Sequence, residues 1–172
     1  MAKTPPEFPT NLDRNSFGSW VSGFTDGEGY FCLQATKRRP LAASFKIGLR
    51  SDDVTVLKLI WAYFQCGSVR VFPKRTYLPN GNPAAVFEVW NTRELAKFVV
   101  PHFDQFPLMS KKANDYSVWR EAVVIASNGI DRTVEYRKGL RGCLSKWTIA
   151  EREHFAYLIN HLKEVRKFKI VS

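Results

Sequence analysis

Acidic residues are scarce in the first half of this sequence. Between Gly29 and Phe87 the only carboxylates belong to Asp52 and Asp53. The same stretch carries many basic residues, namely Lys37, Arg38, Arg39, Lys46, Arg50, Lys58, Arg70, Lys74 and Arg75. A surface that served solubility alone would mix both signs of charge. Together with a formal net charge of +10, this imbalance favours a polyanionic partner, with nucleic acid first and an anionic membrane second.

Cysteine and long apolar runs are also sparse. The three cysteines, Cys32, Cys66 and Cys143, lack metal-site spacing and are odd in number, so we expect reduced thiols in an intracellular protein. No apolar run approaches the roughly 20 residues that cross a bilayer. The polar, proline-containing N-terminus does not resemble a signal peptide. These absences argue against a secreted or membrane-spanning protein.

The composition suits one folded domain, because 45% of the 172 residues are apolar and 14% are aromatic. Residues 1–15 contain Pro5, Pro6 and Pro9 and predict an extended arm. Residues 16–126 predict the folded core. Residues 127–172 predict a basic, glycine-containing loop and a C-terminal helix, begun by a Thr148/Glu151 capping box, that packs on the core or extends it.

The core alternates between helical and strand patterns. A helix is predicted over 17–25, with Phe17, Trp20, Val21 and Phe24 on one apolar face. Strands are predicted over 30–38, 42–50, 68–74 and 84–90, with the facing of the last strand left open because both of its alternating sets are largely apolar. Further helices are predicted from a cap at Asp52 or Asp53 to Gly67, from Asn91 to about Pro101, and over 108–126. This order predicts an α+β fold of the form αββαββα, with a four-stranded antiparallel sheet, helices on one face and a C-terminal helical extension.

Two acids stand among glycines at the end of the first predicted helix, in the run Asp26-Gly27-Glu28-Gly29. The C-terminal end of a helix carries partial negative charge, so carboxylates there are locally unfavourable. A divalent cation held by carboxylate and backbone oxygens would explain them. Ser19, Gly23 and Gly27 recur every four residues, which would let another helix approach closely. The alternative is an ordinary buried helix with incidental glycines.

One face of the predicted sheet is polar and almost free of acids. Its outward residues are Gln34, Thr36, Arg38, Ser44, Lys46, Arg50, Ser68, Arg70 and Lys74. These side chains suit nucleic acid, because Arg and Lys pair with guanine edges, Gln with adenine, and Ser or Thr with several partners.

The segment SGFTDGEGYF at Ser22–Phe31, followed by the ββαββ order, resembles the LAGLIDADG homing endonucleases. The segment FPLMSKKAND at Phe106–Asp115 resembles the start of a later helix in that family. The similarity of pattern covers roughly residues 16–126. It implies a saddle-shaped sheet along the DNA major groove. Because we find no second copy of the motif, it also implies a homodimer on a long, near-palindromic site.

The resemblance also assigns roles to individual residues. It makes Glu28 the catalytic metal ligand, with the Gly27 carbonyl as a backbone ligand and Asp26 as a structural residue. The basic group near the metals maps to Lys111 first and Lys112 second. The dimer interface maps to Ser19, Trp20, Gly23 and Gly27. The implied cofactor is Mg²⁺, or another divalent cation such as Mn²⁺.

Two departures from the family pattern stand out. The motif begins Trp20-Val21-Ser22 where the family name has Leu-Ala. Some relatives carry a polar residue near the end of the second strand, and the simplest register puts Leu49 there, so Arg50 or Ser51 would have to substitute.

The resulting hypothesis is a site-specific double-strand DNA endonuclease that cuts one strand per subunit without a membrane or small-molecule cofactor. We expect it in the compartment that holds its host intron, a mitochondrion or chloroplast in a eukaryote. The alternatives are an RNA maturase or a non-cleaving DNA-binding regulator on the same scaffold. A basic α+β domain whose Gly-Glu-Gly is only a tight helix exit is the third reading.

Overall fold

The computed structural model describes residues 4–36, 41–72, 83–132 and 147–167. Arg38, Lys74, Cys143 and most of the basic loop lie outside these residues. The helices are α1 (Arg14–Glu28), α2 (Val54–Phe64), α3 (Thr92–Glu94), α4 (Val100–Gln105), α5 (Lys112–Asn128) and α6 (Ile149–Val165). The strands are β1 (Gly29–Gln34), β2 (Ala42–Arg50), β3 (Ser68–Phe72) and β4 (Ala84–Val89).

The four strands form one antiparallel sheet in the order β1-β2-β4-β3. Successive side chains of a strand point to opposite faces. The inner face carries fully buried aromatic and aliphatic side chains from three strands, such as Phe31, Phe45 and Phe87. Helices α2 and α5 pack against this face and add Trp119, Phe64 and Ile60 to the core. The predicted α+β class and antiparallel sheet are therefore confirmed.

The structure shows which side chains of β4 face the core, a point that the sequence left open. Ala85, Phe87 and Val89 are fully buried against the helices. Its other set, which ends in Glu88, therefore faces outward with Lys46 and Ser68, the residues paired with Glu88 across β2 and β3.

Helix α1 is longer than the sequence predicted. It begins after Asp13, whose carboxylate accepts a hydrogen bond from the Ser16 amide at 2.7 Å and so caps the first turn. It continues to Glu28, so both acids of the motif lie in its last turn. The next residue is Gly29, where a side chain would not fit, because a Cβ there would lie 2.3 Å from the Thr25 methyl carbon. The chain can therefore pass from helix to strand without a linker.

The prediction that the third helix ends near Pro101 is wrong. A π-helical segment, Leu95–Val99, joins α3 to α4, and α4 continues to Gln105. Proline lacks the N–H that an α-helical turn would use. The wider turn ends at Val99, two residues before Pro101, so the helical path can continue past the proline.

Helix α6 packs against α5 and the edge strand β1 through Phe155, Leu158 and Leu162, which are all nearly inaccessible to solvent. Its predicted capping box is present, since Thr148 and Glu151 each bind the other's backbone amide. Just beyond its end, Arg166 donates to the Phe31 carbonyl at 2.5 Å and pairs with Asp115 at 2.7 Å. The C-terminal helix is thus part of the packed core in the described region.

Among the described helices none combines the length and apolar character needed to span a membrane.

Candidate metal and nucleic-acid site

Glu28 lies exposed at the C-terminal end of α1. Its surroundings form an open groove whose lining includes Leu49 and Arg50 from the end of β2 and Asp53 from the turn that follows. The lining is part acidic and part apolar, with one guanidinium. The groove is the place where a hard cation would find a carboxylate oxygen accessible from solvent.

Asp26, two residues earlier, has a different role. Its carboxylate accepts hydrogen bonds from the Met109 amide at 2.8 Å and from the Ser110 amide at 3.2 Å. The Ser110 hydroxyl adds a third at 2.6 Å. A carboxylate used in this way joins α1 to the start of α5, which agrees with the structural role expected for Asp26.

The two candidate lysines diverge at the start of α5. The Lys112 ammonium donates to the Gly29 carbonyl at 2.7 Å, directly after Glu28 in the chain. Lys111 is exposed, and both lysines line a second groove with Asp115 and Arg166. The structure therefore brings Lys112 to the backbone beside Glu28.

Asp53 lines the same groove as Glu28, whereas the sequence predicts only a helix-capping role for Asp52 or Asp53. That prediction is wrong for both side chains. Asp53 occupies the N-cap position of α2 without a side-chain capping hydrogen bond, and Asp52 pairs with Arg50 at 2.6 Å. The adjacent 3-10 turn, Ser51–Asp53, provides the local structure instead and leaves Asp53 on the groove with Glu28.

One chain does not complete a metal site in the described region. No cluster of three or more Asp, Glu, His or Cys side chains occurs there. Glu28 and Asp53 supply oxygen donors, which suit Mg²⁺, Mn²⁺ or Ca²⁺ rather than a thiophilic metal. A closed coordination shell would need oxygens from the backbone, from water, from a phosphate or from a second protein copy.

Helix α1 presents a stripe of small residues to solvent. Ser19, Gly23 and Gly27 are exposed, and a Cβ placed on either glycine would meet nothing within 4 Å. Beside them Trp20 remains 43% exposed and stacks on Phe24 at 4.8 Å. These glycines therefore have no packing partner within the described part of the chain.

The predicted apolar face of α1 is only partly buried. Only Val21 of its four residues is fully buried, and the core side of the helix carries Gly18, Ser22 and Thr25 instead. Small residues there let the helix lie close to its neighbours, since a Cβ on Gly18 would lie 2.6 Å from the Phe106 ring.

A buried polar cluster fixes this inner side of α1. The Ser22 hydroxyl donates to the Phe106 carbonyl at 2.7 Å and lies 3.3 Å from His102 Nε2. The other ring nitrogen of His102 lies 3.1 Å from the Tyr63 hydroxyl. Burial lowers the pKa of His102 to about 4, so the imidazole is neutral at neutral pH.

The outward face of the sheet is polar and register-aligned. Tyr30, Lys46, Glu88 and Ser68 are directly paired and form one row across all four strands. Arg70 lies on the same face and is half exposed. Tyr30, which is 49% exposed, was not predicted as a site residue because it was read only as the start of a strand. Its place opposite Lys46 shows its membership of this face.

Several predicted nucleic-acid contacts lie on this face, but one does not reach its surface. Gln34, Lys46 and Ser68 are partly exposed, whereas Thr36, Arg50 and Arg70 are open to solvent. Ser44 is fully buried, and its hydroxyl has no hydrogen-bond partner. The expectation of an outward, accessible Ser44 is therefore wrong, because this short side chain on a central strand lies below the level of its larger neighbours.

Comparison with known proteins shows where this architecture recurs. The family model of the LAGLIDADG endonuclease matches residues 21–123. "Probable intron-encoded endonuclease 2" of Neurospora crassa is 26% identical over 130 residues, covering 72% of this chain and 27% of that protein. An uncharacterized 50.9 kDa protein in ND4 intron 1 of Podospora anserina is 31% identical over 117 residues, covering 63% of this chain and 24% of that protein. The chain thus spans about a quarter of the length of these curated relatives.

Solved structures share the fold. The homing endonuclease I-GzeII in complex with its DNA target aligns with a TM-score of 0.66 at 20% identity, over 87% of this chain and 45% of that one. I-SmaMI bound to uncleaved DNA in the presence of calcium ions aligns with a TM-score of 0.64 at 19% identity, over 90% of this chain and 46% of that one. Because the family model spans well over half of the sequence, from the motif helix into α5, this chain belongs to the LAGLIDADG endonuclease family.

Proposed function

We propose that this chain is a divalent-metal-dependent, site-specific double-strand DNA endonuclease that acts as a homodimer. The observation that carries the proposal is the place of Glu28. It is exposed at the end of a helix whose solvent side is a stripe of unpacked small residues. Two such helices packed face to face would bring two Glu28 carboxylates together near the dimer axis, one for each DNA strand.

The alignment with solved relatives supports this arrangement. The chain matches about half of I-GzeII and of I-SmaMI, at 45% and 46% of their lengths. Both of those proteins were solved with DNA, and one of them with calcium. Two copies of this chain would together match the size of one of those molecules. The two-fold symmetry of such a dimer predicts a long, near-palindromic DNA target.

The residues present fit a hard divalent cation. Glu28 and the Gly27 carbonyl would hold Mg²⁺ or Mn²⁺, and the Glu28 of the second copy would complete the acidic pair. When bound, such an ion stabilises charge on the phosphate and lowers the pKa of a water molecule. Close carboxylates repel each other, so the cation also favours the dimer.

The remaining groups act through position. We assign Lys112, ahead of Lys111, to the developing negative charge, because its ammonium is held at the backbone beside Glu28. The sheet face with Lys46, Arg50 and Arg70 would lie along the major groove. Arg38 and Lys74 stay predicted DNA contacts on the basis of the sequence.

The names of related proteins support a proposal for the cellular compartment. These relatives include intron-encoded endonucleases and a mitochondrial protein of Saccharomyces cerevisiae. We propose that the protein acts in the organelle that holds its host intron, a mitochondrion in the first instance.

The test is cleavage of a randomised duplex library in Mg²⁺, followed by sequencing of the cut ends. We expect the parent protein to enrich one long site and Glu28→Gln to reduce cleavage at that site by at least about 100-fold, since even indirect metal-site partners are worth 10–100-fold. Glu153→Gln, an exposed acid on α6, is the matched control and should cut like the parent.

Cleavage by Glu28→Gln at the parental rate would remove the central assignment. Sequence-specific DNA binding by the parent without any cleavage in Mg²⁺ or Mn²⁺ would instead identify a non-cleaving regulator. Preferential binding of structured RNA would point to a maturase.

A further inference from the structure

Glu88 is the one acidic side chain on the outward sheet face within the described strands. It lies on the central strand β4, in the row that contains Lys46 and Ser68. Only 5% of it is exposed. So little accessible surface leaves no room for direct contact with a base, and any effect of Glu88 on DNA must pass through its neighbours.

Those neighbours are the basic and aromatic groups of the same face. The Glu88 carboxylate forms an ion pair with Arg70, which lies on β3. The same carboxylate accepts a hydrogen bond from Trp90 Nε1 at 2.8 Å and lies 4.0 Å from the Lys46 ammonium. Lys46 in turn sits over the Trp90 ring at 4.4 Å. One buried carboxylate therefore contacts Arg70 on β3, Lys46 on β2 and the indole of Trp90, which directly follows β4.

Stability alone does not account for this arrangement. The other outward residues of β4, Ala84 and Val86, are small or apolar. A buried ion pair is weak evidence of stabilisation, because the desolvation of both charges offsets their attraction. A carboxylate in the middle of a DNA-facing surface also repels phosphates. Its benefit must lie in the geometry that it imposes on Arg70 and Lys46.

We propose that Glu88 is a positioning residue that orients Arg70 and Lys46 to read adjacent base edges, and so sets sequence specificity at the centre of each sheet. This inference rests on the proposed function. Arg70 is 56% exposed while one of its terminal nitrogens is held by Glu88, which leaves its other N–H groups to face the groove. A guanidinium held in this way is prepared to bind a base edge rather than to follow a phosphate.

The experiment compares Glu88→Gln with the parent in a binding selection on the enriched site, randomised one base pair at a time. Glutamine keeps the size of the side chain and removes its charge. We expect discrimination to fall at least about fivefold at one or two adjacent base pairs per half-site, which is the range set by one bidentate contact. Affinity for non-specific DNA should stay equal or rise. Asp131→Asn, which removes one charge from the exposed Arg93–Asp131 pair, is the matched control and should leave the profile unchanged.

A second variant tests the same idea without disturbing the buried site. Arg70→Lys keeps the charge of a half-exposed side chain and removes its planar fork. It should lose discrimination at the same base pairs as Glu88→Gln. The double variant Glu88→Gln/Arg70→Lys should be no worse than either single variant, because one residue acts through the other.

The inference is overturned if Arg70→Lys loses specificity at a defined base pair and Glu88→Gln, folded by thermal melting, does not. It is also overturned if both variants weaken binding equally at every sequence, which would mark phosphate contacts. If Glu88→Gln fails to fold, an unchanged profile for Arg70→Lys still overturns the inference. A parent that enriches no sequence at all overturns the proposed function and this inference together, whereas a parent with a site and unaltered variants overturns the inference alone.

Discussion

The carboxylate of Asp26 accepts hydrogen bonds from both the hydroxyl and the backbone amide of Ser110, at 2.6 and 3.2 Å. This contact joins the last turn of α1 to the start of α5 across 84 positions of sequence. It also holds the segment that carries Lys112 against Gly29. Asp26 therefore helps to position the Lys112 ammonium beside Glu28.

Asp26→Ala should lower the free energy of unfolding by about 1–2 kcal/mol, because amide and hydroxyl donors lose a charged acceptor at a partly exposed site. It should also slow cleavage, since Lys112 is no longer held. Glu28→Ala, two residues later on an exposed position, should change stability by less than about 0.5 kcal/mol. Urea unfolding of both variants checks the contrast. Equal stability losses would show that Asp26 is not the structural member of the pair.

Lys112→Met should reduce cleavage more than Lys111→Met. The Lys112 ammonium donates to the Gly29 carbonyl beside Glu28, whereas Lys111 is exposed to solvent. We expect a loss of about 100-fold in the single-turnover rate for Lys112→Met, within the range of one electrostatic group at a reacting centre. Binding of the target should change little for either variant. A larger rate loss for Lys111→Met would reverse the assignment.

Gly23→Leu should abolish the dimer and leave the fold intact. A side chain there meets nothing within 4 Å in the chain, and replacing a helical glycine can add up to about 1 kcal/mol of stability. Gly18→Leu is the matched variant on the opposite side. Its Cβ would lie 2.7 Å from the Tyr63 hydroxyl, so it should destabilise the monomer itself.

Sedimentation and thermal melting separate the two glycine variants. The proposal expects a stable monomer for Gly23→Leu and a destabilised protein for Gly18→Leu. A Gly23→Leu protein that sediments as the parent dimer, or a parent that is monomeric, would contradict the α1 interface.

The protein should lose stability as the pH falls from about 6.5 to about 4. Burial depresses the pKa of His102 to about 4 in the folded state, below its usual 6.5. Between these values the unfolded chain binds a proton that the folded chain does not, so unfolding becomes more favourable with acid. The loss of stability is on the order of 3 kcal/mol once the pH is below 4, and it vanishes above pH 6.5.

The His102 effect is isolated by difference, since carboxylates also titrate in this range. Urea unfolding of the parent and of His102→Gln at several pH values should give curves that converge as the pH drops. His154→Gln, an exposed histidine on α6, is the control and should follow the parent. Parallel curves for the parent and His102→Gln would refute the assignment.

Much of the fold was predictable because its signals are local. The strand at 42–50, the helix that follows Asp53 and the Thr148/Glu151 box each depend on residues within one element, and each is present in the structure. The boundaries of α1 were wrong because the Asp13 cap was read as part of an arm. The third helix was cut short because a single proline does not reveal the π-helical turn that precedes it.

The site was less predictable because its determinants come from distant segments. The motif predicted Glu28 and the structural use of Asp26, but not the partner Ser110, which lies on another helix. The choice between Lys111 and Lys112 depends on the contact with Gly29, a tertiary feature. Glu88 and Ser44 are buried although they lie on the outward face. Their burial depends on side chains from neighbouring strands, which the alternating pattern of a single strand does not predict.

The bond from Arg166 to the Phe31 carbonyl has a consequence for assembly. Strand β1 is at one edge of the sheet, and an exposed edge is a template on which a strand from another molecule can add. Here the chain's own arginine occupies an acceptor on that edge, and α6 packs alongside it. A second copy that approaches this edge therefore meets an occupied carbonyl and a packed helix rather than free backbone.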